Sequence, residues 1–385
     1  MDYLLTEDQI EIRDLCRRIA EERIKPVRGH YDEAEEFPRE VIKTMAQAGI
    51  FGLFVPEEYG GFGGGVLELA IATEELSRAC AGIALSFAAT ALGAFPILMF
   101  GDEDQRRKYL PPIASGEKLA AFALTEANAG SDAGAIQTTA KRDGDSYILN
   151  GTKQWITNGG EADIYTVIAL TDRARGSRGA SAFIVEKGTE GFSFGKKEKK
   201  MGIRSSVTRE LVFQDCRVSG KNLLGREGQG FLIAMRTFDY TRPGVAAQAV
   251  GIAQGALDEA IAYARQRVQF GKPISSFQGI QFMLADMATQ IEAARALVYS
   301  AARMIDSGAK DVSRASAMAK LFASDVAMKV TIDAVQVFGG YGYMREYPVE
   351  KMMRDAKITQ IYEGTNQIQR QIIALNLIKE AAKKE

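Results

Sequence analysis

From Ile358 to Gln369 the only ionisable acid is Glu363, set between Tyr362 and Gly364 in an otherwise uncharged run. A glycine beside it lets a ligand approach the backbone closely. A carboxylate so placed loses hydration, and its pKa rises toward the range useful to a general base. Two further stretches carry binding chemistry. Phe122-Ala-Leu-Thr-Glu-Ala-Asn-Ala-Gly-Ser-Asp132 has the small residues and hydroxyls that a loop needs to accept a flat polar ring and a phosphate. Trp155-Ile-Thr-Asn-Gly-Gly160 sets the chain's one tryptophan beside Thr157, whose hydroxyl can donate to a ring heteroatom.

The elements that position these residues fall into three regions, 1–117, 118–230 and 231–385. In the first, Thr6-Glu-Asp-Gln9 is a capping-box pattern, and Ile10, Ile12, Leu15, Ile19 and Ile24 follow at helical spacing. The glycine-rich stretch Val55–Gly65 lacks the Lys-Ser/Thr ending of a phosphate loop and reads as a connection between helices. In the second region the period changes to two. Asp143-Gly144 and Asn150-Gly151 read as hairpin turns bracketing Tyr147-Ile-Leu149, and Tyr165–Leu170, Ala182–Val185 and Glu210–Phe213 are further β-rich runs. In the third the helical period returns, with Leu284, Met287, Ala288, Ile291, Ala294, Val298, Ala301 and Ile305 on one apolar stripe. The expected fold class is α+β: a helical domain, a middle antiparallel β domain, and a C-terminal four-helix bundle.

The chain has 385 residues, long for one core, so two or three packed domains are expected. A net charge of −1 gives no sign of nucleic-acid binding or of a polybasic membrane anchor. Cys16, Cys80 and Cys216 are scattered without CxxC spacing, which argues against a disulfide framework and a zinc site and suits a reducing compartment. The single histidine, His30, lies among charged residues, so no Ser-His or Cys-His chemistry assembles around it. Residues 2–25 alternate acid and base, unlike a signal or transit peptide, so a cytoplasmic location is expected. Ala79–Gly101 is uncharged for 23 residues, yet it is rich in small residues and interrupted by Pro96. It reads as a buried helix rather than a membrane span.

Taken together, these motifs resemble the acyl-CoA dehydrogenase family, of short- and medium-chain type. The resemblance runs from Glu7 to Ile378, with Pro56–Gly61, Lys200–Arg204 and Asn222–Gly225 matching in order as well. It implies FAD as cofactor, with Phe122, Leu124, Thr125, Gly130 and Ser131 along the isoalloxazine and Trp155 and Thr157 packing against and bonding the ring. Arg267, Gln269 and Phe270 lie in the segment that matches the one reaching the FAD pyrophosphate of a neighbouring subunit, and Phe277, Gln278, Gln336, Gly339 and Gly340 match other cofactor contacts. Thr365, Asn366 and Gln367 would hold the cofactor from the other side. Ser131, Phe238, Asp239, Arg242, Tyr362 and Gly364 match substrate contacts. In one branch of the family the base comes from the helix around Phe238–Pro243. The matching position here is Thr241, which cannot serve, so the role falls to Glu363. Arg242 is expected near Glu363, opposing too large a rise in its pKa.

The implied reaction is removal of the thioester α-proton by Glu363 with hydride transfer from the β-carbon to flavin N5. The thioester oxygen would sit between the Glu363 N–H and a flavin ribityl hydroxyl. Electron-transfer flavoprotein is the implied partner, and a homotetramer the implied assembly, with no metal. Ala84, Ala88, Ala89, Thr90, Ala91 and Gly93 leave few bulky side chains, which suggests an apolar pocket of short to medium depth, wide enough for a branched or alicyclic acyl group. No cation lies between Arg78 and Asp102 to meet a dicarboxylic substrate. Two other readings share the fold: an acyl-CoA oxidase passing electrons to O2, and a non-catalytic acyl-CoA-binding protein.

Overall fold

The computed structural model describes residues 3–383. Thr6 opens the first helix as its pattern requires. Its hydroxyl accepts from the Gln9 N–H at 3.2 Å, and the Gln9 side chain accepts from the Thr6 N–H at 3.1 Å. Helix α1 (Glu7–Ile19) passes through a π-helical turn at Ala20–Ile24 and is followed by α2 (Arg28–Ala34) and α3 (Arg39–Gln47). The glycine-rich connection leads into α4 (Val66–Phe100) and then α5 (Glu103–Ala114).

Helix α4 is the one helix, among the described residues, long and apolar enough to cross a membrane, yet 72% of its most apolar window is buried inside the protein. Pro96 does not interrupt it. The helix runs through Pro96, which is packed between the buried Phe95 and Ile97, and the departure from helical backbone comes instead at Cys80 (φ −160°, ψ 111°). A proline removes one i→i−4 bond; surrounding packing keeps the turn in place.

The middle region is one eight-stranded sheet. Its strands are β1 (Ala120–Ala123), β2 (Thr139–Asp143), β3 (Ser146–Thr157), β4 (Ile164–Leu170), β5 (Ala180–Glu186), β6 (Phe192–Lys197), β7 (Thr208–Ser219) and β8 (Leu223–Leu224). Their order is β6-β7-β3-β2-β4-β5-β8, antiparallel for most pairs, with β1 added parallel to β4. Asp143-Gly144 forms the expected turn between β2 and β3, with Gly144 at φ 64°. Asn150-Gly151 does not turn the chain. It lies inside β3, where the register against β7 shifts between Leu149 and Gly151, and so makes a bulge. The strand continues because its neighbour β7 has bonding partners on both sides of the irregularity.

The chain then returns to helix. Helix α6 (Gly230–Gln266) leads into a two-stranded finger, β9 (Val268–Gln269) and β10 (Lys272–Pro273), then α7 (Gln278–Asp306), α8 (Ser313–Phe338), α9 (Val349–Thr359) and α10 (Asn366–Ala381). Met287, Ile291, Ala294, Val298, Ala301 and Ile305 of the predicted α7 stripe are buried. Two long helices join the helical regions, since α6 lies against α4. At Gly251 an added Cβ would overlap the Glu74 carbonyl, so the backbones meet there with no room for a side chain. Gly93 does the same on the other face of α4, against Ala121 of β1. Helix α4 thus ties sheet and bundle together.

Candidate active site

Glu363 sits in the six-residue connection between α9 and α10. Thr359 ends one helix, and Thr365 caps the next by accepting from the Ile368 N–H at 3.3 Å. Between them the backbone is left-handed at two successive residues, Glu363 at φ 50° and Gly364 at φ 91°. That conformation is natural for glycine and disfavoured for glutamate, so neighbours must hold it. Arg242 Nε donates to the Glu363 carbonyl at 3.4 Å, Gln369 Nε2 donates to the Glu363 and Gly364 carbonyls at 3.1 and 2.8 Å, and Lys320 Nζ donates to the Gly364 carbonyl at 2.8 Å. Among the described residues the Glu363 N–H donates to no group, leaving it free for an incoming acceptor.

The Glu363 side chain is partly buried, and Thr241 Oγ1 donates to its Oε2 at 2.7 Å. Burial pushes the carboxyl up to about 7, while the Thr241 hydroxyl and the charges of Arg242 and Lys320 oppose the rise. Of the expected substrate contacts, Arg242 is buried, pairs with Asp239 at 2.9 Å, and lies 5.9 Å over the Phe238 ring. Phe238 in turn meets Phe122 of β1 edge-on at 5.5 Å between centroids. Tyr362 donates through its hydroxyl to Gln248 of α6. The middle of α6, the end of β1 and the Glu363 connection therefore converge.

The expected ring-binding residues are neighbours too. The Gln154 N–H donates to the Thr125 carbonyl at 2.9 Å, which lays Leu124 and Thr125 along the strand that carries Trp155 and Thr157. Trp155 has φ 59° at a register shift in β3 and stays 54% exposed, and Gly130 and Ser131 are exposed beside the same loop. A large ring left open at a bulge beside two threonines fits a flat cofactor laid on it. Under this surface Lys153 is fully buried, donating to the Leu124 carbonyl and to Glu126 Oε1, both at 2.8 Å. Glu126 accepts from the Gln137 and Thr138 N–H groups, so one buried ion pair shapes the loop.

Arg267, Gln269, Gly339 and Gly340 do not join this cluster. With Tyr263, Phe338 and Tyr341 they line a separate open groove of about 480 Å³. Arg267 lies 5.1 Å over the Tyr341 ring, and Phe270, 93% exposed, projects from the finger toward Phe277. Gln278 and Gln336 are exposed nearby along α7 and α8. An arginine beside exposed glycines fits an anionic linker. Gln367 is exposed at the start of α10. Asn366 is not available to a cofactor: it is buried, with Oδ1 accepting from Lys320 and Nδ2 donating to Ser324 and Asp325.

Sequence reasoning assigned no role to Lys320, Gln369 or Lys153, and excluded Thr241 as a base without seeing it as the base's partner. A lysine inside the small-residue stripe Ala317, Ala319, Ala323, Ala327 was the available signal for Lys320. The small residues of α4 are also used differently from the expectation. Ala84, Thr90, Ala91 and Gly93 are fully packed, and only Ala88 among them keeps partial exposure. They serve close packing of α4 rather than a wide cavity.

Three family models match in succession: the acyl-CoA dehydrogenase N-terminal domain over residues 6–117, the middle domain over 121–216 and the C-terminal domain over 228–378. A short-chain specific acyl-CoA dehydrogenase of Clostridium acetobutylicum is 53% identical over 376 residues, 97% of this chain and 99% of that one. The butyryl-CoA dehydrogenase structure from Megasphaera elsdenii superposes with a TM-score of 0.96 at 52% identity, covering 98% and 100% of the two chains. A chain from the structure of an electron transferring flavoprotein of Acidaminococcus fermentans, described in connection with flavin-based electron bifurcation, superposes with a TM-score of 0.96 at 56% identity, covering 98% and 99%.

Proposed function

This chain belongs to the acyl-CoA dehydrogenase family, as a short-chain type, and from that premise we propose that Glu363 is its α-proton base and FAD its cofactor. One observation carries the proposal: a partly buried carboxylate, raised to about 7, stands on a left-handed turn whose own N–H is free. An α-proton of a thioester leaves only if negative charge on the carbonyl oxygen is stabilised as it forms. The Glu363 N–H receives that oxygen, in a role worth several kcal/mol in sites of this kind. Glu363 then accepts the proton on its carboxylate, and Thr241 stays bonded to it in either state. Arg242 holds the Glu363 carbonyl, so the N–H and carboxylate keep their relative positions. Bound along Leu124, Thr125, Trp155 and Thr157, FAD supplies the acceptor for the β-hydride.

The acyl group we assign is short and unbranched. The packing of α4 removes the reason for a wide cavity, and Phe95 of α4 packs against Tyr240 of α6 at 6.2 Å between ring centroids. The three regions, bounded as 1–117, 118–230 and 231–385, then divide the work between acyl pocket, flavin surface and base. The groove at Arg267 and Gly339 lies apart from Glu363, which suits a homotetramer in which it serves a neighbour's FAD. Electron-transfer flavoprotein is the acceptor we assign, in view of the Acidaminococcus relative.

The test is anaerobic addition of butyryl-, octanoyl-, isobutyryl-, glutaryl- and cyclohexanecarboxyl-CoA to the purified holoenzyme, followed by flavin absorbance. Bleaching by butyryl-CoA that is lost in Glu363→Gln is the expected result. Bleaching retained in that variant would remove Glu363 as base, and a protein without flavin would remove the proposal entirely.

A further inference from the structure

Lys320 is 0% exposed and makes no ion pair among the described residues. A buried ammonium without a counter-ion is costly, so its place calls for a reason. Its two partners are the Gly364 carbonyl at 2.8 Å and Asn366 Oδ1 at 2.9 Å, both in the segment that carries Glu363. Asn366 is itself fixed by Ser324, one turn along α8, and by Asp325. The ammonium of α8 therefore holds the segment just after Glu363, while Thr241 and Arg242 of α6 hold Glu363 itself.

We infer that Lys320 is a positioning residue for the base: it pins the Glu363–Gly364 turn through the Gly364 carbonyl and brings a cation with no carboxylate partner to bear on the Glu363 carboxylate. This rests on the reading of Glu363 as base. The groups that act directly on Glu363 are Thr241, Arg242 and Lys320, and the other titratable groups of the elements around it act through these or through Tyr362. Helix α6 presents Thr241 and Arg242, with Asp239 paired to Arg242; α8 presents Lys320 and Asp325; α10 presents Arg370, paired to Asp325 at 3.1 Å; Tyr362 adjoins Glu363, and Asp355 of α9 acts on Tyr362. Arg242 pairs with Asp239 and Arg370 with Asp325, which leaves Lys320 as the cation of this group without a carboxylate partner among the described residues. Burial brings Lys320 down to about 7, against the pull of Glu363, while burial brings Glu363 up to about 7. The pair is thus poised so that the charge on one governs the proton on the other.

The experiment uses the FAD-loaded enzyme with Lys320→Met and Lys320→Arg, and Glu363→Gln as the control. Infrared titration follows the carboxylic-acid band that disappears in Glu363→Gln, which reads the base without turnover; butyryl-CoA kinetics across pH are recorded beside it. In Lys320→Met the carboxyl pKa is expected to rise by about one unit. Near neutral pH kcat falls about fivefold to tenfold with KM within about twofold, and the loss closes at higher pH. Lys320→Arg, whose guanidinium stays charged across the range, holds the carboxyl pKa at or below the wild-type value. An unmoved band in Lys320→Met, or a kcat lowered equally at every pH, would overturn the assignment. If Lys320→Met does not accumulate with FAD, Lys320→Gln, which keeps a donor for the Gly364 carbonyl, replaces it; failure of both neutral variants to bind FAD or fold would make Lys320 a scaffold residue and overturn the proposal as well. Full activity of Glu363→Gln would instead strike the base reading, whatever Lys320 does.

Discussion

Replacing Thr241 by valine keeps the shape of the side chain and removes the hydroxyl that donates to Glu363 Oε2 at 2.7 Å. A hydrogen bond to a charged group contributes about 1.5–3 kcal/mol, but only the difference between the two protonation states moves the pKa. Once protonated, Glu363 can donate back to Thr241, whose hydrogen then turns to the Thr237 carbonyl at 3.1 Å. Part of the bond therefore survives protonation. A differential of about 1.4 kcal/mol is left, equivalent to about one pKa unit. The base then moves from about 7 to roughly one unit higher. By that arithmetic the ionised fraction near neutral pH falls about fivefold, and two units higher it is nearly unchanged. The assay is stopped-flow bleaching of the flavin by butyryl-CoA across that pH range. A Thr241→Val enzyme with the wild-type acid limb, or one slowed equally at all pH values, would refute the role given to this hydroxyl.

Other outcomes follow from the same geometry. A carboxyl whose pKa is raised on folding contributes most stability below its unfolded value of 4.5 and loses it as pH rises through about 7. Glu363→Gln is therefore expected to raise the stability above neutral pH by up to about 2 kcal/mol after allowance for partial exposure, seen as a higher Tm, and to change it little in acid. Thermal scans at both pH values check this. Lys153→Met leaves Glu126 buried without its partner, at a cost of about 3–5 kcal/mol. It should lower the Tm and loosen retained FAD, read by flavin fluorescence on dilution. Gly251→Ala forces a methyl into the Glu74 carbonyl and is expected to cost about 1–3 kcal/mol. A Tm equal to wild type would show that α4 and α6 can separate without penalty.

The sequence by itself determined the order helix, sheet, helix, the cap at Thr6, the β2–β3 turn and the buried stripe of α7, because each depends on local period or on residues within a turn of one another. It also marked Glu363, since an acid alone in an uncharged run is visible without coordinates. Whether Asn150-Gly151 turns or bulges depended on β7, and whether Pro96 stops a helix depended on what packs around it, so neither was a local matter. The small residues of α4 looked like room for a substrate until β1, close against Gly93, and Asn158, bonded to Ser86 and Thr90, were seen to fill that room. Thr241 lies 122 positions from Glu363 and Lys320 lies 43 from it. Their bonds to the base segment were decided only by the tertiary packing of α6 and α8, because the energy of a buried charge is set by what surrounds it in space.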